Sequence, residues 1–180
     1  MKADLYCRET IANVANCVDS GRGTGSHDIV ERAVQKARSE GTSLDNERLT
    51  FQLYLYRMGF GSLMDRFCAE FLIGRPSYFP IRGGPEVFSK ENIRNVLAHL
   101  CDVDGPMPEA EVELMVDEDI QREWIRPIDY APGDYECYEL GYEQGIWWLC
   151  YAFGIEPWTW ELLEGDNTYE FQYHLPIFEP

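Results

Sequence analysis

Glu136, Glu139 and Glu143 recur three and four residues apart, and Asp117, Glu118 and Asp119 follow one another directly. On a helix, residues at i, i+3 and i+7 share a face, so the three glutamates would stand in one row and repel one another. The chemistry open to such a row is ion pairing. Spaced carboxylates dock on Arg and Lys groups or imitate the charge pattern of a phosphate backbone, and an exposed aromatic side chain such as Trp124 would anchor the contact. A solvated helix face is the plain alternative.

No comparable pattern supports catalysis. There are three lysines, Lys2, Lys36 and Lys90, and none lies in a GxxxxGK(S/T) phosphate loop. HExxH and GxSxG are absent, and with no lysine after Lys90 the acidic residues cannot form an Asp/Glu–Lys nuclease site by themselves. Gly21–Ser26 resembles a phosphate cradle ahead of a helix, but the segment before it reads as helix rather than strand, so an interhelical loop is expected. Asp102-x-Asp104-Gly105 with Glu111 loosely matches a calcium loop whose first ligand place falls on Leu100, which cannot coordinate. His27, His99 and His174 are scattered, and the six cysteines (Cys7, Cys17, Cys68, Cys101, Cys137, Cys150) include no CxxC pair. Pairing Cys68 or Cys150 with a distant histidine is open by number alone. No catalytic residue, metal site or cofactor is therefore assigned.

Charge separates the chain into two parts. Residues 1–101 hold 13 Lys/Arg against 12 Asp/Glu, whereas residues 102–180 hold only Arg122 and Arg126 against 20 Asp/Glu. That acidic part also carries all five tryptophans and seven of the eleven tyrosines, so it must contribute core as well as charge. Such a surface repels phosphate backbones and anionic lipid, which disfavours direct nucleic-acid binding and points to a basic protein partner. The opening Met1–Arg8 lacks the apolar core of a signal peptide, and Ile146–Phe153 is too short to span a bilayer. A cytoplasmic protein with reduced thiols and no membrane partner is expected.

At 180 residues, 45% of them hydrophobic, the chain is sized for one domain with a substantial core. Leu5, Ile11, Val14 and Cys17 predict an opening amphipathic helix, and Ser26 the cap of a second that carries Ile29, Ala33, Val34 and Ala37. The apolar stretch from Asp45 to Ile73 reads as two helices meeting at a corner at Gly59 and Gly61, and Arg75–Pro85 as a loop or strap. Ser89 would cap a short helix with Ile93, Val96, Leu97 and Leu100. Asp102–Pro106 is a turn, and Pro108, Glu109 and Glu111 begin a helix in which Val112, Val116, Ile120 and Trp124 recur every four residues, although Glu111–Val116 also alternates as a strand would. Asp134, as cap, opens a helix to Phe153 that buries Tyr138, Tyr142, Leu149 and Phe153 beside Gly141 and Gly145, and Gly154 ends it. Pro157 and Gly165 bracket a further short helix. The fold expected is a mainly α, single-domain helical bundle over 1–180 with Pro/Gly-rich connecting loops, allowing one short hairpin or an irregular extended C-terminal segment. Most of the aromatic residues would face inward.

Gln52–Phe67, a small-residue turn leading into a helix, resembles a segment of the PoNi-type immunity proteins of bacterial polymorphic-toxin systems. Gly141-Tyr142, Trp147-Trp148 and Ala152–Glu156 are similar to the C-terminal helix of that family and its following turn. Together these cover about a third of the chain. The ending Tyr173–Pro176 matches only loosely, and Pro106–Pro132 has no counterpart. The resemblance implies a non-enzymatic protein that blocks a cognate toxin, typically a DNase. A phage-encoded DNA mimic acting against restriction or CRISPR machinery is the first alternative, and an intracellular enzyme with a Cys/His site the second. Asp117, Glu118, Asp119, Glu136, Glu139, Glu143 and Trp124 are the expected partner-binding residues.

Overall fold

A computed structural model describes residues 4–21, 26–75, 78–80 and 87–173. Strand β1 (Leu5–Cys7) runs into helices α1 (Arg8–Ser20), α2 (Ser26–Glu40) and α3 (Asn46–Glu70). Short strands β2 (Ile73–Gly74), β3 (Phe79–Pro80) and β4 (Val87–Ser89) precede α4 (Lys90–His99), which continues as a π-helical turn over Leu100–Asp104. Helices α5 (Glu109–Gln121), α6 (Asp134–Phe153) and α7 (Thr168–Tyr173) complete the order. The mainly α expectation holds. Among the described residues, extended pairing is confined to two antiparallel pairs, β1 with β4 in the register Tyr6 opposite Phe88 and β2 with β3, and one isolated bridge. Among the described residues no helix is long and apolar enough to cross a membrane.

The centre of the fold is the crossing of α3 and α6. Contacts advance in step along both helices: Arg48 meets Asp134, Leu63 meets Gly145, and the rings of Phe67 and Phe153 lie 6.3 Å apart, so the helices run parallel. At the crossing the backbones touch. A Cβ on Gly59 would stand 2.0 Å from the Tyr138 carbonyl oxygen, and one on Gly141 would stand 2.0 Å from the Tyr56 carbonyl oxygen. Only glycine on both sides allows that approach. Each helical glycine costs about 1 kcal/mol against alanine, a small cost beside the roughly 1.5–3 kcal/mol from each fully buried large side chain. Phe60, Leu63, Phe67, Leu149 and Phe153 are all buried here.

Two clusters flank the crossing. The larger joins Ile11, Val14, Phe60, Phe67, Leu97, Leu149 and Phe153 from α1, α3, α4 and α6. The smaller joins Phe51 and Leu55 of α3, Val112 and Val116 of α5, and Tyr138. Buried charges tie the periphery to this frame. Asp134, 0% exposed, receives Arg48 Nη1 at 2.6 Å, Gln52 Nε2 at 3.2 Å and the Ala131 amide at 2.8 Å. Lys90, 5% exposed, donates from Nζ to the carbonyls of Leu163 at 2.8 Å and Gly165 at 2.6 Å.

Several local expectations are corrected. Asn46–Glu70 is one continuous helix, capped by Asp45, because Gly59 faces α6 instead of forming a corner and the backbone stays helical through Gly61. Leu5 lies exposed in β1, outside α1. Pro108 is the cap of α5 rather than its first residue. Asp134 is the first residue of α6 behind the left-handed Gly133, and its carboxylate serves Arg48, not the helix end. Asp102–Asp104 continue the helical path of α4, and no helix lies between Pro157 and Gly165, where Ile155 and Leu162 instead make an isolated antiparallel bridge. Ser89 does cap α4, in a reciprocal box with Asn92, and Gly154 ends α6 at φ 66°. The side chain of Ser26 and most of Gly21–Ser26, the strap 81–86, His174 and the ending after Tyr173 lie outside the described residues.

The crossing can be tested by adding single methyl groups. Gly59→Ala or Gly141→Ala is expected to cost about 3 kcal/mol in urea denaturation, the upper range for overpacking, and the double variant less than the sum, since one separation accommodates both methyls. Gly61→Ala, where an added Cβ meets nothing within 4 Å, should instead stabilise by about 0.5–1 kcal/mol. Arg48→Ala leaves the Asp134 carboxylate buried without its ion pair and is expected to cost about 3 kcal/mol.

Candidate partner-binding surface

Helix α6 buries one side completely and leaves another in water. At 100° per residue, Glu136, Glu139, Glu143, Trp147 and Tyr151 fall within a sector of about 120°, and all five are exposed. The opposite side carries Tyr138, Gly141, Tyr142, Gly145, Leu149 and Phe153, all buried. The expected glutamate row therefore exists and is followed along the same face by two aromatic side chains. Glu109, in the first turn of α5, joins it from a second element. The Glu139 carboxyl is raised above its ordinary value by partial burial and by the charges of Glu136, Glu109 and Glu143. Among the described residues none of these four glutamates forms an ion pair.

The Asp117–Asp119 cluster is placed differently. It lies in the last turn of α5, where the helix dipole disfavours negative charge, and two of its members have internal partners. Asp119 accepts a hydrogen bond from the Tyr54 hydroxyl, and Glu118 lies 3.8 Å from Arg122. Asp117 alone is exposed without such a contact among the described residues. Trp124 falls beyond the end of α5 and off its buried face, with the Arg122 guanidinium 5.0 Å from its ring centre. It rims a groove of about 450 Å³ with Phe51 and Tyr54, which shares no residue with the grooves beside the α6 row.

Those grooves are built by the segment after α6. One, of about 320 Å³, is walled by Glu139, Glu143, Trp147, Pro157 and Trp158. The other, of about 380 Å³, is walled by Trp147, Tyr151, Pro157 and Leu163. Trp147 and Pro157 belong to both, so the two open side by side. Trp158 is 69% exposed and Trp147 45%, against the inward packing expected of the aromatic residues. Sequence periodicity along α6 could have indicated Trp147 and Tyr151. It could not have indicated Glu109 or Trp158, which reach the row through tertiary contacts.

Elsewhere, the described residues hold no cluster of His, Cys, Asp and Glu able to bind a metal ion. Cys68 and Cys150 are buried free thiols, each pushed up to about 12 chiefly by that burial. No family model, curated protein or solved structure matches the chain.

A glutamate whose folded-state value is raised adds stability below the ordinary carboxylate range, and that contribution is lost as pH rises through the raised value. Glu139→Gln should therefore raise Tm at pH 7 by about 1–2 °C, the size of relieved like-charge contacts in a domain of this length. Below about pH 4, where the carboxyl is protonated, the difference should vanish. A lower Tm at pH 7 would show that Glu139 is satisfied by a cation.

Proposed function

We propose that this protein is an acidic, non-enzymatic inhibitor that docks the outward face of α6 on a basic surface of a nuclease and excludes its nucleic acid. The observation that carries the reading is the row Glu136, Glu139 and Glu143, reinforced by Glu109, exposed and without ion pairs among the described residues. The Glu139 carboxyl is raised first by partial burial and then by the charges of Glu136, Glu109 and Glu143, and a cationic partner relieves that repulsion. The resemblance of Gln52–Phe67, and of Gly141-Tyr142, Trp147-Trp148 and Ala152–Glu156, to PoNi-type immunity proteins supports a toxin-neutralising role.

One feature favours a discrete docking site over mimicry of a duplex: the row gives way to Trp147 and Tyr151 instead of continuing as charge. An enzyme built on Cys68 or Cys150 would need a thiolate, and burial holds both thiols neutral.

Protection is the direct test. Co-expression with a nuclease toxin encoded beside its gene should restore growth, with association that slows as salt is raised. The variant E136K/E139K/E143K should lose protection while keeping the circular dichroism spectrum of the parent. Full protection by that variant would move the binding surface off α6.

A further inference from the structure

The paired grooves at the C-terminal end of the glutamate row have no role in charge steering, yet they are the best-organised exposed apolar feature beside it. Trp147, Tyr151, Trp158 and Leu163 expose large apolar surface within them, and clustered exposure of this kind marks interaction sites. Their platform is held in place before any partner arrives. Glu156 N donates to Glu161 O at 2.9 Å, Trp160 N to Glu156 O at 2.8 Å and Leu163 N to Gly154 O at 2.9 Å. Buried Lys90 clamps two carbonyls at the base of the loop, and Trp160 Nε1 donates to Asp102 Oδ2 at 3.1 Å. Trp160 itself sits at φ 60°, a left-handed conformation that a bulky residue keeps only where its surroundings impose it. A slot with rigid walls loses little entropy when filled.

The charge around the slot decides its occupant. Among the described residues, the charged side chains lining the two grooves are Glu139, Glu143 and Glu156, all acidic. A second copy of this chain packed through the same face would press its own glutamate row against these carboxylates, and a nucleic acid its phosphates. A basic protein segment meets them with opposite charge. We infer that the slot formed by Trp147, Pro157 and Trp158 takes an aromatic or long aliphatic side chain that the partner carries next to its arginines or lysines. Charge then steers the partner onto α6, and the slot selects which basic surface stays. The basic character of the partner rests on the inhibitor reading above, whereas the slot rests on its own geometry.

Isothermal titration with two short Arg-rich peptides separates the two. One contains a single Phe among the arginines, and the other has Ala in its place. The wild-type protein should bind the Phe peptide about tenfold more tightly, equivalent to about 1.4 kcal/mol. Trp147→Ala and Trp158→Ala should each erase that difference while leaving the Ala peptide unaffected. In nitrogen–proton NMR spectra the indole signals of Trp147 and Trp158 should move on addition of the Phe peptide, and that of Trp124 should stay. Equal affinity for the two peptides, or an equal shift at Trp124, overturns the slot and leaves the inhibitor reading to the protection experiment. Loss of protection in E136K/E139K/E143K together with full protection in Trp158→Ala would likewise overturn the slot alone.

Discussion

Backbone contact between α3 and α6 at Gly59 and Gly141 sets the geometry of everything around it. With a glycine on each side, the Tyr138 and Tyr56 carbonyls occupy the space where Cβ atoms would otherwise stand. The helices approach closely enough for Tyr56, Phe60, Tyr138 and Tyr142 to wrap the crossing, and all four are buried. Because α3 and α6 run parallel, the chain must return between them. The segment from β2 to α5 makes that return and covers α3 on the way, packing Val112 and Val116 against Phe51 and Leu55.

Closing one side of α6 so tightly has a consequence for the other. The buried side is filled by glycine, tyrosine and aliphatic residues, and the charge of the helix is left on its outer face. The first turn of α5 then brings Glu109 to the same place, so repulsion concentrates there. Propensity alone would not sustain this helix, with two glycines and seven aromatic residues in twenty. Its stability comes from the packed side, which is why a strained acidic row can be carried opposite.

The periphery is organised by polar ties that reach from side loops to the frame. Arg48 holds Asp134 at the start of α6, Lys90 holds the loop after its end, and Arg66 joins Tyr142 to the Gly105 carbonyl. Tyr6, Tyr54 and Tyr78 donate to Asp166, Asp119 and Asp19 across long sequence separations. These ties explain why part of the acidic charge is consumed inside the protein. Asp119 and Asp134 look equivalent to Glu139 in a charge count, but only Glu139 remains available to a partner.

The amino-acid sequence by itself determined α1, α2, α4, α5 and α6 within approximate limits, and the row on α6. Periodicity and end signals are local, and Ser89 and Gly154 expressed them without competition from distant residues, whereas Asp134 was drawn from capping to Arg48. The same local signals misled where a glycine served a neighbouring helix, as at Gly59, or where a helical path continued through turn-forming residues, as at Asp102–Asp104. Tertiary structure alone decided which carboxylates are free, because Tyr54, Arg48 and Arg122 are supplied by the fold or lie in reach only once a helix forms. It also placed Glu109 beside Glu139 and Trp158 beside Trp147. No spacing rule links residues on separate elements, and those two juxtapositions turn a charged helix face into a surface with an apolar slot at its end.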